Sequence, residues 1–272
     1  MIMRYQLQDS RHSMLMHFIS RLCIVPITWA AVCFCIIPAS ISADTADPCE
    51  QIEVIIQDAH QAYNAVDDYT ATLLRTECIK NRLRSKETIE LKFAKPDSVY
   101  LKWLTSPNPG LLNQHTEIIY PVGKNKDKVI AHLGGLINFI TPTITVTPDD
   151  SSLMKDNRHP VTHTGIGFFL NLFRDEYKKA LQDSTFTQKY YGTVRLMGTH
   201  AHKIEFIMPD KNKGYYCHRL ELYFDVQNKL PIRIIAYNWK NQLIERYSFF
   251  NLKLNVGLNK EDFNPWKKEY NF

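Results

Sequence analysis

Between Leu220 and Trp239 the apolar residues fall on alternate positions in two runs, first Leu220, Leu222 and Phe224 and then Leu230, Ile232, Ile234 and Ala236. Side chains of a strand alternate between its two faces, so the two runs predict a hairpin with one apolar side. The same two-residue period carries Ile89, Leu91 and Phe93 and then Val99, Leu101 and Trp103, on either side of a turn at Lys95-Pro96-Asp97. Weaker alternation predicts strands over 69–80, 117–122 and 128–133, with one more over 137–147 that Pro142 confines to an edge. Strands follow around 190–196, 202–208, 215–225 and 243–254. This is a long antiparallel meander.

Two segments carry the helical period instead. Asp47 as N-cap, Pro48 at the first helical position and Glu50 three residues after the cap form a start signal, and Ile52, Ile55, Ile56, Ala59, Tyr63 and Val66 then line one stripe. A second helix is predicted over 164–181, with Ile166, Phe169, Leu170, Phe173, Tyr177, Ala180 and Leu181 on one face. The polar run 148–160 reads as a loop. Two helices on a meander predict an α+β domain in which the helices cover one concave sheet face.

The first residues stand apart from this pattern. Arg21, the uncharged run LCIVPITWAAVCFCII, Pro38 and the small residues ASISA follow one another as in a secretory leader, with cleavage expected after Ser42 or Ala43. That assigns 1–43 as a signal peptide, 44–272 as a single exported domain and the periplasm as its compartment. No cysteine follows a small residue as lipid attachment requires, so the mature protein is expected to be soluble. It keeps Cys49, Cys78 and Cys217, and one disulfide with one free thiol is the simplest count, Cys49 with Cys78 being the expected pair. With 44% hydrophobic and 22% charged residues the chain is ordinary globular material, and its net charge of +5 is spread over turns rather than gathered in a stripe. Nucleic acid is therefore not an expected partner.

Signals for catalysis are sparse. His159 and His163 are four apart but Pro160 lies between them, and His200 and His202 share one side of a strand without a third ligand at a telling spacing. No nucleophile motif is present, and Cys217 is expected to be a buried structural thiol. No metal or other cofactor is predicted. Arg158, His159 and Thr164 approach the start of the second helix, where free amides and a partial positive charge can hold an anionic head group; the plainer expectation there is capping by Thr162 or Thr164. The apolar strand faces offer more surface than two helices fill. Each methylene buried there gains about 0.8 kcal/mol, so roughly fourteen yield on the order of 10 kcal/mol before ordering costs, enough to hold an acyl chain.

The stretches ELKFAKPDSVYLKWL and LELYFDVQNKLPIRIIAYNWKNQLIERYSFFNLKLNVGLNKEDF resemble the two halves of the LolA-like superfamily of periplasmic lipoprotein carriers. More closely, EIIYPVGKNKDKVIAH, RHPVTHTGIG and LKLNVGLNKEDFNPWKKEYNF resemble a bacterial family known as domain of unknown function 1571, over about Tyr69 to Phe272. The superfamily resemblance implies an incomplete antiparallel barrel, or half-barrel, closed by helices around an acyl-chain cavity. On that basis Ile89, Leu91, Phe93, Val99, Leu101, Trp103, Leu222, Phe224, Ile232 and Ile234 are expected to line it, with Phe169 and Phe173 from the cover. Lys95 stands where carriers usually place an arginine that latches the lid, and a lysine cannot make the same planar, multi-donor contact. The expected function is binding or carriage of an acylated lipid or lipoprotein without chemistry. The alternatives are an envelope sensor or protein-interaction domain on the same fold and, with less support, a metal-dependent hydrolase.

Overall fold

A computed structural model describes residues 47–105, 116–120, 128–132, 134, 143–183 and 185–272; the expected leader lies outside the described residues. Asp47 and Pro48 open the first helix as their chemistry requires. α1 spans Pro48–Asn64, and the Asp47 carboxylate accepts the Cys49 N–H at 3.1 Å. Its stripe of Ile52, Ile55, Ile56 and Ala59 is buried.

The first meander comprises β1 (Asp68–Ile79), β2 (Arg82–Leu83), β3 (Glu87–Ala94), β4 (Ser98–Thr105), β5 (Glu117–Tyr120), β6 (Val129–His132) and β7 (Thr143–Val146). After α2 (Ser151–Met154) and α3 (Ile166–Ala180) comes the second: β8 (Thr187–Leu196), β9 (Thr199–Ile207), β10 (Arg219–Asp225), β11 (Pro231–Tyr237) and β12 (Leu243–Leu254). All join one antiparallel sheet in the order β7-β6-β5-β4-β3-β1-β12-β11-β10-β9-β8, with β2 paired to β1 alone. The first and last strands unite the two meanders, Leu73 lying opposite Phe249 and Arg75 opposite Tyr247. Among the described residues the sheet stays open, with β7 and β8 at its edges, so the barrel is incomplete as expected. The strand expected over 137–147 is seen as β7 at a sheet edge, and Pro142 lies outside the described residues.

The run 148–160 is not all loop. Asp150 accepts the Ser152 N–H at 2.8 Å and starts the single turn of α2. α3 lies on the concave face with Ile166, Phe169, Leu170, Phe173, Tyr177 and Ala180 buried, while Leu181, the last member of the predicted stripe, is 53% exposed just past the helix end. α1 packs against β8 and α3. It does not run back along β1, and Cys49, Cys78 and Cys217 are all free thiols, so the expected Cys49–Cys78 bridge is not formed.

Strand alternation assigns the inward face correctly with one exception. Between β10 and β11 the register shifts, Tyr223 facing Arg233 but Phe224 facing Pro231, so Ile232 is the extra residue of a bulge. It packs with Ala201, Tyr223 and Ile235 in a cluster separate from the one that holds Leu222, Phe224 and Ile234. Ile232 is therefore removed from the inward set. Farther along the convex side, Tyr100 and Ile119 are covered by Phe263 and Tyr270 of the C-terminal segment.

Candidate functional site

The space between α3 and the sheet has an apolar half and a charged half. In the apolar half Phe169, Phe173, Leu222 and Ile234 meet around a gap of about 20 Å³ that Tyr216 and Glu245 border on the charged side. A gap of that size has room for about one water molecule, whereas small-molecule pockets run to roughly 300–1,000 Å³, so no chain fits there in this form. Phe173 fills it against Phe206 at a centroid distance of 4.9 Å, and Phe169 against Tyr247 at 4.5 Å. Leu101 and Trp103 border a second gap of about 20 Å³. Phe93 lines an open groove of about 650 Å³ together with Lys95 and Thr164, whereas Ile89, Leu91, Val99 and Phe224 are core residues. Trp103 also lines a gap of about 130 Å³ with Ile118, Ile144 and Leu153, so among the described residues the expected lining positions are divided between packed core and separate gaps.

The charged half lies where β1 and β12 meet. Arg75 and Glu77 continue the inward phase of Leu73, and Glu245 continues that of Phe249 and Tyr247; all are buried. Arg75 Nε donates to Glu87 at 2.6 Å, its guanidinium lies 5.5 Å from the Trp103 ring centroid, and its Nη1 is 3.9 Å from Glu77. Burial opposes the Arg75 charge, but Glu77 and Glu87 more than offset it, so the group is held protonated. Glu77 accepts the Tyr247 hydroxyl and the backbone N–H of Arg158, the latter at 3.0 Å. Glu245 takes Arg158 Nε at 3.0 Å, His159 Nε2 at 2.9 Å and the Tyr216 hydroxyl at 2.6 Å. Burial and the adjacent carboxylates push Tyr216 and Tyr247 well above the usual phenol range, which keeps both as donors. Two sheet carboxylates thus fasten the segment that leads into α3.

This arrangement revises the expected head-group site. Arg158 and His159 already share Glu245, and Thr164 does not cap α3. The N-cap is Gly165 at φ 103°, without a side-chain cap, and the Ile166 N–H is accepted by the Tyr69 hydroxyl at 2.9 Å. The Tyr63 hydroxyl engages the next amide, that of Gly167, and its pKa is pushed by burial up to about 12. A side chain at 165 would meet Tyr69 Oη at 2.5 Å, so glycine is required by space as well as by φ. Two distant tyrosines occupy the amides that an anion needs. Lys95 Nζ donates to the Tyr63 and Asn64 carbonyls at 2.7 and 3.3 Å, capping the end of α1 rather than fastening α3.

The remaining candidates disperse. His163 stacks on Phe168 with centroids 4.4 Å apart, His200 is exposed, and His202 Nδ1 lies 2.8 Å from the Tyr190 hydroxyl. Among the described residues no group of three or more His, Cys, Asp and Glu is placed to hold a metal. Cys217 is buried just before β10 rather than inside a strand, and burial pushes its thiol far up. Arg75, Glu77 and Glu245 were absent from the predicted site. Their signal is a charge standing in the inward phase of an apolar alternation.

The sequence signature of the family described as "Protein of unknown function (DUF1571)" matches residues 66–272. Among curated proteins none matches. Solved structures similar in chain course include an uncharacterized conserved protein from Thermus thermophilus (11% identity, TM-score 0.44, 81% of this chain and 96% of that one). The Mycobacterium tuberculosis lipoprotein LppX is also similar (11%, 0.45, 77% and 98%). A third is the Pseudomonas aeruginosa MucA/MucB complex (13%, 0.41, 78% and 60%). At these levels the likeness carries no functional argument, which rests on the residues instead.

Proposed function

Because the chain belongs to the family described as Protein of unknown function (DUF1571), whose description names no activity, we propose a function from its own geometry. The protein is a non-catalytic binding module of the cell envelope, exported by its leader as one domain. It admits the apolar chain of an acylated lipid or lipoprotein between α3 and the concave sheet when the cover lifts.

One observation carries this. α3 covers the apolar wall beside α1, and the segment that leads into it is fastened by buried carboxylates as well as by the packing of Val161. Replacing a buried ion pair with apolar residues of similar volume is often neutral or stabilising, so stability alone does not account for Glu77 and Glu245 at inward positions. Their use here is as releasable fasteners: Phe169 and Phe173 occupy the ligand's place in the closed form and leave it when α3 moves. The exchange is close to even, since apolar surface replaces apolar surface and the acyl chain supplies the surplus.

The test is native mass spectrometry of the purified mature protein together with binding of a fluorescent acyl probe. Co-purifying lipid and probe binding are expected, and Leu222→Arg, which sets a charge in the apolar half, abolishes both. Lipid-free protein that binds no probe under any condition counts against the proposal. The filled interior favours a second function, an envelope sensor or interaction domain that presents its surface to a protein. In that case crosslinking in the periplasm recovers a protein partner and Leu222→Arg leaves the capture unchanged wherever the fold survives.

A further inference from the structure

A second concavity, of about 770 Å³, opens at the tips of the β1–β2 and β11–β12 turns. Lys80, Lys211, Lys240 and Arg158 line it, and no carboxylate does. Among the described residues the three lysines form no ion pair, and all three are exposed. Three separate chain segments therefore bring unpaired positive charge to one groove. Charges gathered from distant segments without compensation raise the local potential and attract anions.

The groove is not uniformly polar. Its wall includes Trp239, whose indole N–H is buried without a hydrogen-bond partner, and Leu83 at the rim is 57% exposed beside Lys80 and Arg82 in sequence. An exposed leucine with flanking lysines is a combination that sits at the boundary of a lipid layer, with ammonium groups at phosphate depth. No described helix is long and apolar enough to cross a membrane, so any such contact made by the described helices is peripheral.

We propose that this groove docks the protein on an anionic phospholipid surface, its exposed lysines meeting phosphate head groups while Leu83 enters the head-group boundary. The groove shares no lining residue with the apolar gap under α3, and either can fail without the other. Near an anionic surface each lysine contributes about 1 kcal/mol, so three correspond to roughly a hundredfold in affinity, lost progressively as salt is raised.

The experiment is flotation of the purified protein with vesicles of zwitterionic lipid, with and without an anionic phospholipid, across a salt series. Binding to the anionic vesicles alone is expected. It falls by more than about a hundredfold in the triple variant Lys80→Glu, Lys211→Glu, Lys240→Glu, which replaces the three attractions with repulsions. The charge-matched variant Lys178→Glu, Lys253→Glu, Lys260→Glu, altered at exposed positions outside the groove, keeps most of it. Circular dichroism confirms that both variants are folded. Equal binding by the two triple variants, binding to neutral vesicles as well, or capture of inorganic phosphate or an acidic peptide with none of vesicles overturns the proposal. Leu222→Arg separates the sites: it removes acyl-probe binding and spares flotation if both proposals hold, whereas flotation without probe binding in the parent protein defeats only the interior one.

Discussion

The two halves of the space under α3 are built on opposite principles. Around Phe169, Phe173, Leu222 and Ile234 the contacts are apolar and non-directional, and any side chain of suitable volume can replace another. Around Arg75, Glu77 and Glu245 each group is fixed by named donors and acceptors, and removing one strands the rest. The apolar half can yield to a guest gradually. The charged half holds or lets go.

The largest expected effect tests the charged half. Glu245→Ala leaves Arg158, His159 and Tyr216 without their shared acceptor and is expected to lower stability by about 3–5 kcal/mol, read from the urea midpoint. Glu245→Gln, which keeps the shape but not the charge, is expected to recover part of this. If both variants match the parent, the network does not fasten the cover. Phe173→Ala tests the apolar half at about 3 kcal/mol, and unlike the glutamate change it should increase acyl-probe uptake by leaving room where the ring stood. A destabilised variant with no gain in uptake separates the gap from the binding path.

Gly165→Ala probes the joint between the halves. Positive φ and the Tyr69 hydroxyl both oppose a Cβ there, and a loss of about 1–3 kcal/mol is expected, read from the urea midpoint. The smallest effect is a pH dependence. Burial, then the Lys229 charge, lowers the His202 pKa from its usual 6.5, with Asp58 opposing. The unfolded chain therefore takes up this proton before the folded one does. Stability is whole above the usual value and falls as pH drops from there through the lowered folded pKa. His60 and His163, also lowered by burial, act in the same sense. His202→Gln should flatten the slope of urea midpoint against pH below about 6.5 and leave it unchanged above.

Much of the fold was legible from local pattern. The Asp47-Pro48 start, the stripe of α3 and the inward faces of β3, β4 and β10 follow from a helix start signal and from periods of 3.6 and 2. Ile232 escaped because a bulge adds a residue without any mark in the apolar alternation. The charged half escaped for another reason: Arg75 and Glu77 look like ordinary surface charges until Arg158 and Tyr247 are brought to them from 81 and 170 residues away. The head-group expectation failed similarly, since nothing near Thr164 indicates that Tyr69 takes the first helical amide across 97 residues.

The sequence by itself determined most of the apolar residues that turn inward, because away from a bulge side-chain direction follows from backbone period and needs no partner. Tertiary structure alone decided whether that inward face encloses a space or fills it. Filling is a matter of volumes and hydrogen bonds contributed by segments far apart in the chain, and no local period records how Phe173 meets Phe206 or how Glu245 finds His159.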